Sequence, residues 1–147
     1  MANEVEWTYA TQVTLEDNGA SAASDVFVAA DDDTLEGTGN ASYYPLADFV
    51  LNAAFGTDVT AGGIVRLYRQ DLNIDGASDA PVPGTACSNL FVGSFIIATG
   101  NSAKTAYPLP DVPLSNDCQF SVENKSGQSL TAGWDLKATP KTFNPGS

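Results

Sequence analysis

Leu130-Thr131-Ala132-Gly133-Trp134-Asp135-Leu136-Lys137-Ala138 decides how the chain is read, because its large apolar side chains fall on every second residue. Leu130, Ala132, Trp134, Leu136 and Ala138 take one side, and Thr131, Gly133, Asp135 and Lys137 the other. That is the two-residue period of a half-buried strand, not the longer period of a helix. Working back, Cys118–Glu123 keeps the same beat, with Phe120 and Val122 against Gln119, Ser121 and Glu123. Asn124-Lys125-Ser126-Gly127 between the two runs is built of turn residues, so they are expected as adjacent strands, joined in one hairpin if the turn is tight.

The chain opens in the same way. Val5, Trp7, Tyr9, Thr11, Val13 and Leu15 alternate with Glu4, Glu6, Thr8, Gln12, Thr14 and Glu16, which predicts one half-buried strand. Leu90–Ala98 is apolar on both faces, as a central strand covered on both sides would be. Tyr43–Phe55 offers two readings: Ser42 and Pro45 suit a helix start, yet Phe49, Leu51, Ala53 and Phe55 alternate with Asp48 and Asn52, and the strand is preferred. Ile64–Leu72, Asp25–Ala29 and Lys104–Leu109 bring the total to about eight short strands separated by Gly, Pro, Asn, Asp and Ser clusters. The expectation is an all-β fold: a single antiparallel β-sandwich, jelly-roll-like, in one domain. Residues 43–147 form its body and residues 1–42 an acidic N-terminal strand or arm region. Val5, Trp7, Tyr9, Phe49, Leu51, Phe95, Phe120, Val122, Trp134 and Leu136 are expected to share its core.

Charge narrows the function. Six Lys and Arg against 18 Asp and Glu give a net charge of −12 over 147 residues, and the first 65 residues carry −11 of it. Nucleic-acid binding needs clustered cations to displace counterions, so no nucleic acid is expected as a partner. No apolar run is long enough to span a membrane, and nothing at the start marks the chain for export, so folding in a reducing cytoplasm is expected. Histidine is absent, which removes the commonest general base and the usual activator of a Ser or Cys nucleophile. Cys87 and Cys118 are too far apart in sequence for a CxxC redox pair and too few for a zinc site, which leaves two buried thiols or a disulfide. No cofactor is expected.

Two acidic stretches are candidate sites. Asp71-Leu72-Asn73-Ile74-Asp75-Gly76 matches the first half of a calcium loop, with Asp71, Asn73 and Asp75 as alternating oxygen ligands. The match then fails, because Val82 stands where a bidentate Glu is needed and Pro81 and Pro83 forbid a following helix. Asp31, Asp32, Asp33 and Glu36 form an acidic knot suited to a cation or a basic partner, or simply to a solvated loop.

From Tyr43 to Pro140 the order of segments resembles a known group. Tyr43-Tyr44-Pro45-Leu46-Ala47-Asp48-Phe49-Val50-Leu51 leads to Thr60-Ala61-Gly62-Gly63-Ile64-Val65-Arg66-Leu67-Tyr68, then Leu72–Gly76 and Phe91-Val92-Gly93-Ser94-Phe95. Tyr107–Leu114, Phe120–Gln128 and Ala132–Lys137 complete the series. The run resembles the capsid decoration, or cement, proteins of tailed bacteriophages that have a β-sandwich of jelly-roll type. The resemblance implies a non-enzymatic virion protein, made in the host cytoplasm, that sits on the capsid exterior and bridges the major capsid protein. It also implies a homotrimer at local threefold positions. Other virion sandwiches, such as fibre tips, leave a carbohydrate-binding or host-recognition module as the alternative. A small carboxylate-pair hydrolase is a third reading, needing only two acids flanking a sugar.

Overall fold

A computed structural model of the chain describes residues 5–35, 38–39, 42–72, 81–85, 90–115 and 117–145. Its strands are β1 (Val5–Tyr9), β2 (Val13–Gly19), β3 (Phe27–Leu35), β4 (Thr38–Gly39), β5 (Ser42–Tyr43), β6 (Leu46–Ala53), β7 (Ile64–Asp71), β8 (Phe91–Ile96), β9 (Thr105–Pro113), β10 (Cys118–Lys125) and β11 (Trp134–Pro145). One sheet runs β1-β11-β6-β9, with β2 also on β11; the other runs β3-β10-β7-β8. A short β4–β5 ladder stands apart.

Every pairing in the two sheets is antiparallel. β1 and β2 lie end to end along one edge of β11, β1 against Lys141–Pro145 and β2 against Trp134–Ala138. Taken as one position they make each sheet four strands wide, and the two strand orders are those of a jelly roll. The fold is an all-β, antiparallel β-sandwich, and β1, β2 and β3 are paired parts of it. Among the described residues no helix is long and apolar enough to cross a membrane.

The core lies between the sheets because the alternation puts one apolar side of each strand there. β6 buries Ala47, Phe49, Leu51 and Ala53, and β10 buries Phe120 and Val122 opposite them. Phe49 and Phe120 meet across the sandwich with ring centroids 4.7 Å apart. Phe95, Trp134 and Leu136 are buried as the alternation predicts. Trp134 is fully enclosed and its Nε1–H donates to the Ala20 carbonyl at 2.8 Å. Gly19 lies under this indole, where a Cβ would come within 2.0 Å of the ring.

Three expectations are corrected. The opening run is two strands, not one, and the break at Ala10–Gln12 has a cause in β11. Pro140 sits inside β11, and its carbonyl accepts from Ala10 N–H at 2.8 Å. In an antiparallel strand a residue's N and O point to the same side, so the N–H that Pro140 lacks falls where the β1–β2 edge is interrupted.

Nor do Cys118–Glu123 and Leu130–Ala138 form a hairpin: β10 and β11 lie in different sheets. Buried Asn124 organises the corner between them. Its Nδ2 donates to the carbonyls of Ala22 (3.1 Å) and Gln128 (2.7 Å), and its Oδ1 accepts from the Ser126 N–H (3.1 Å). Leu130 and Ala22 then exchange backbone hydrogen bonds before β11 begins. The stretch Leu90–Ala98, finally, holds an edge strand and not a central one. β8 ends its sheet, with Phe91 47% and Ile96 71% exposed.

Candidate docking surface

β11 runs past the end of β6: its pairing with β6 stops at Lys141, whereas β1 continues beside it to Pro145. The result is a two-stranded ribbon at one end of the five-stranded sheet. Cross-strand partners on one of its faces are Trp7 with Phe143 and Tyr9 with Lys141. The Trp7 and Phe143 rings stack with centroids 3.9 Å apart. Trp7, Tyr9 and Phe143 are 37%, 55% and 50% exposed, so the two β1 aromatics expected in the core lie on the outer surface. The alternation of β1 is real, but from Tyr9, opposite Lys141, to Val13, opposite Ala138, the opening run spends four residues against three of β11, so its phase reverses and the β1 aromatics share the outer face with Lys141.

Lys141 anchors the ribbon to the sheet. Its side chain is buried beneath Trp7, with Nζ 4.5 Å from the ring centroid, and its ammonium bridges Asp48 (2.6 Å) and Asp111 (2.5 Å). A register shift in the β6–β9 ladder opposite Ala47–Phe49 and a left-handed Asp111 (φ 59°) aim that carboxylate at the lysine. The Asp111 N–H also donates to Asp48 Oδ1 at 3.0 Å. Burial alone would lower the Lys141 pKa, but the hydrogen bonds to Asp111 and Asp48 outweigh it and hold the ammonium above its ordinary value. Further along this face Lys104 pairs with Asp135 at 3.0 Å. Burial raises the Asp135 pKa, and the hydrogen bonds from Asn52 and Lys104 overcome that and hold it low. Its charges therefore neutralise one another, and the groups left open at the ribbon are aromatic.

A second charged cluster lies on the outer face of the other sheet. The Tyr68 hydroxyl donates to Glu123 at 2.7 Å, and Arg66 and Lys125 reach the same carboxylate at 3.5 and 3.4 Å. Phe27 and Phe91 pack on Tyr68, with centroids 5.1 and 5.9 Å away. Burial, then the bond to Glu123, raises the Tyr68 pKa. Each member has a partner, so the cluster clasps β10 to β7 and offers no open chemistry.

The residues singled out in the sequence fall in several places. Asp31 is exposed on β3, and Asp32 and Asp33 follow it in the same strand. Glu36 lies outside the described residues, as do Asn73, Asp75 and Cys87. Asp71 ends β7, where Arg69 Nε donates to it at 2.8 Å and the Ser115 hydroxyl at 2.6 Å. A guanidinium so placed already neutralises that carboxylate. Among the described residues no three His, Cys, Asp or Glu side chains gather as a metal site. Cys118 is a free, fully buried thiol whose pKa burial pushes up, and its Sγ donates to the Leu35 carbonyl at 3.3 Å.

Phe143 and Lys141 escaped the sequence reading because Pro140 masks the strand that carries them; their own alternation with Thr142 was the available signal. No known protein family, curated protein or solved structure matches the chain.

Proposed function

We propose that the chain is a non-enzymatic virion protein that decorates the outside of a tailed-bacteriophage capsid and stabilises it by bridging major capsid proteins, standing there as a homotrimer. The observation that carries the reading is the β1–β11 ribbon, which holds Trp7, Tyr9 and Phe143 open to solvent beside charges that are already paired. Aromatic side chains carry much of the binding energy of protein interfaces, and carboxylates tied to lysine are poorly placed for acid–base work. The jelly-roll order agrees with the family that the segments Tyr43–Pro140 resemble, since this architecture recurs in viral capsid domains.

In this reading apolar contacts at the ribbon hold the complex, while the acidic β3 acts on the rate of encounter with an electropositive partner. The test is to add the purified chain to undecorated heads of the phage whose genome encodes it. Saturable binding to the head exterior is expected, with Phe143→Ala and Tyr9→Ala dissociating faster. Heads that take up none of the chain under any salt condition would overturn the proposal.

A second reading, a sugar-binding or host-recognition tip, is favoured by the exposed rings of Tyr9 and Phe143, onto which a sugar face can stack. Against it, the Asp48 and Asp111 oxygens that would accept from sugar hydroxyls already hold Lys141. Saturable quenching of the ribbon tryptophan by a glycan would move the assignment to this alternative.

A further inference from the structure

A jelly roll leaves strand edges open, and among the described residues all the edge strands of its two main sheets but one are blocked. β1 carries Glu6 and β2 carries Glu16 and Asp17. β3 carries Asp31, Asp32 and Asp33, and β9 carries Pro108, Pro110 and Pro113 with the Asp111 irregularity. Charges, prolines and bulges are the devices by which proteins keep edges from pairing with other chains. β8, Phe91-Val92-Gly93-Ser94-Phe95-Ile96, has no charge and no proline. Its one irregularity lies at Val92, leaving Gly93–Ile96 regular. Among the described residues it pairs with β7 alone.

The register tells which groups of β8 face outward. Ile64 and Ile96 are Cα partners, and the Ile97 N–H donates to the Gly63 carbonyl at 3.1 Å. Ile64 and Ile96 are thus a non-hydrogen-bonded pair, and by alternation Ser94 and Ile96 turn their N–H and C=O away from β7. On the outer surface the same strand exposes Phe91 and Ile96, beside the half-buried Ser94.

We propose that β8 pairs antiparallel with β8 of a second copy of this chain, about a two-fold axis through Ser94, to join two four-stranded sheets into one. Two features of β8 favour a copy of itself over a foreign strand. First, the strand can meet itself: with Ser94 on the axis, each Ile96 comes level with the second copy's Val92, which packs inward on its own core, and so lies beside the outward Phe91, as an isologous contact requires. Second, the charge is kept away, because the acid-bearing β3 is the far edge of the same sheet, three strand spacings or about 14 Å from β8. Two copies with a net charge of −12 each can therefore meet at β8 without opposing their acidic edges. The contact is two-fold, so it is separate from the head-to-tail surface a trimer needs, and it does not depend on the capsid reading.

The experiment is sedimentation equilibrium on the full chain and on two variants, with thermal unfolding as the control for folding. Ile96→Lys puts a charge on the edge, and Ser94→Pro removes an outward N–H that β7 does not use. The parent is expected to dimerise, and each variant to weaken the dimer about tenfold or more while unfolding at a temperature close to the parent's. A third variant, Ser94→Cys, should cross-link into a covalent dimer on oxidation, since the Cα atoms of a hydrogen-bonded pair stand about 5.5 Å apart. Thr99→Cys, beyond the strand, should not. A parent that stays monomeric at millimolar concentration, or a dimer that both substitutions leave intact, overturns the proposal.

Discussion

β11 carries two aromatic residues at its two ends, and their fates differ. Trp134 is sealed between the sheets over Gly19, whereas Phe143 stacks on Trp7 in the open. The alternating pattern around Trp7 resembles that around Trp134. The difference is one of parity: nine residues apart on one strand they point to opposite faces, Trp134 towards the four-stranded sheet and Phe143 away from it. Alternation states which side chains share a face, and only the partner sheet decides whether that face is core.

Substitutions sharpen this contrast. Trp134→Ala should cost about 3–5 kcal/mol in chemical denaturation, since it empties a closed site and orphans the Ala20 carbonyl. Gly19→Ala forces a Cβ into the same indole and should cost about 1–3 kcal/mol, with a loss of near-ultraviolet dichroism as the ring shifts. Lys141→Met leaves Asp48 and Asp111 facing each other and should cost about 1.5–3 kcal/mol, toward the lower end because Asp111 is largely exposed.

The raised Lys141 pKa adds a pH test. Because the folded-state pKa lies above the ordinary 10.5, the stabilisation is fully present below that value and is lost as pH rises through the raised one. The melting temperatures of parent and Lys141→Met should therefore converge in strong alkali. If they stay equally far apart, the lysine acts through packing on Trp7 alone. Trp7→Ala should cost only about 0.5–1.5 kcal/mol, the size of an exposed aromatic pair, and a loss as large as that of Trp134→Ala would break the comparison. The smallest effect belongs to the acidic knot. Asn or Gln at Asp31, Asp32, Asp33 and Glu36 together should shift the unfolding midpoint little, while stopped-flow binding to bare heads slows and loses its salt dependence.

Much of the sandwich was legible because β6, β7 and β10 alternate within a core covered from both sides. Phe49, Leu51, Phe120, Val122 and Leu136 could be placed from spacing alone. Less was legible where a side chain's role depends on distant strands. The all-apolar β8 looked central because an edge strand that bears no charge carries the same composition as a buried one. The Asn124 corner looked like a hairpin turn because its residues are turn formers; its long-range bond to the Ala22 carbonyl sends the chain to the other sheet. At the docking surface Trp7 and Tyr9 were visible but assigned inward, and Lys141 and Phe143 were hidden behind Pro140.

The pairing of the earliest strands with the latest also sets a timetable. β1 and β2 lie on β11, and β3 lies on β10, so the opening third of the chain has no sheet to join until nearly all of it has been synthesised. At translation speeds of about 5–20 residues per second, the 132 positions from Tyr9 to its partner Lys141 hold β1 waiting for roughly 7–26 s. Pairings of such long range also fold slowly once they are possible. During that interval the acidic segment keeps itself apart by self-repulsion, and its charge serves the unfinished chain before it serves any finished surface.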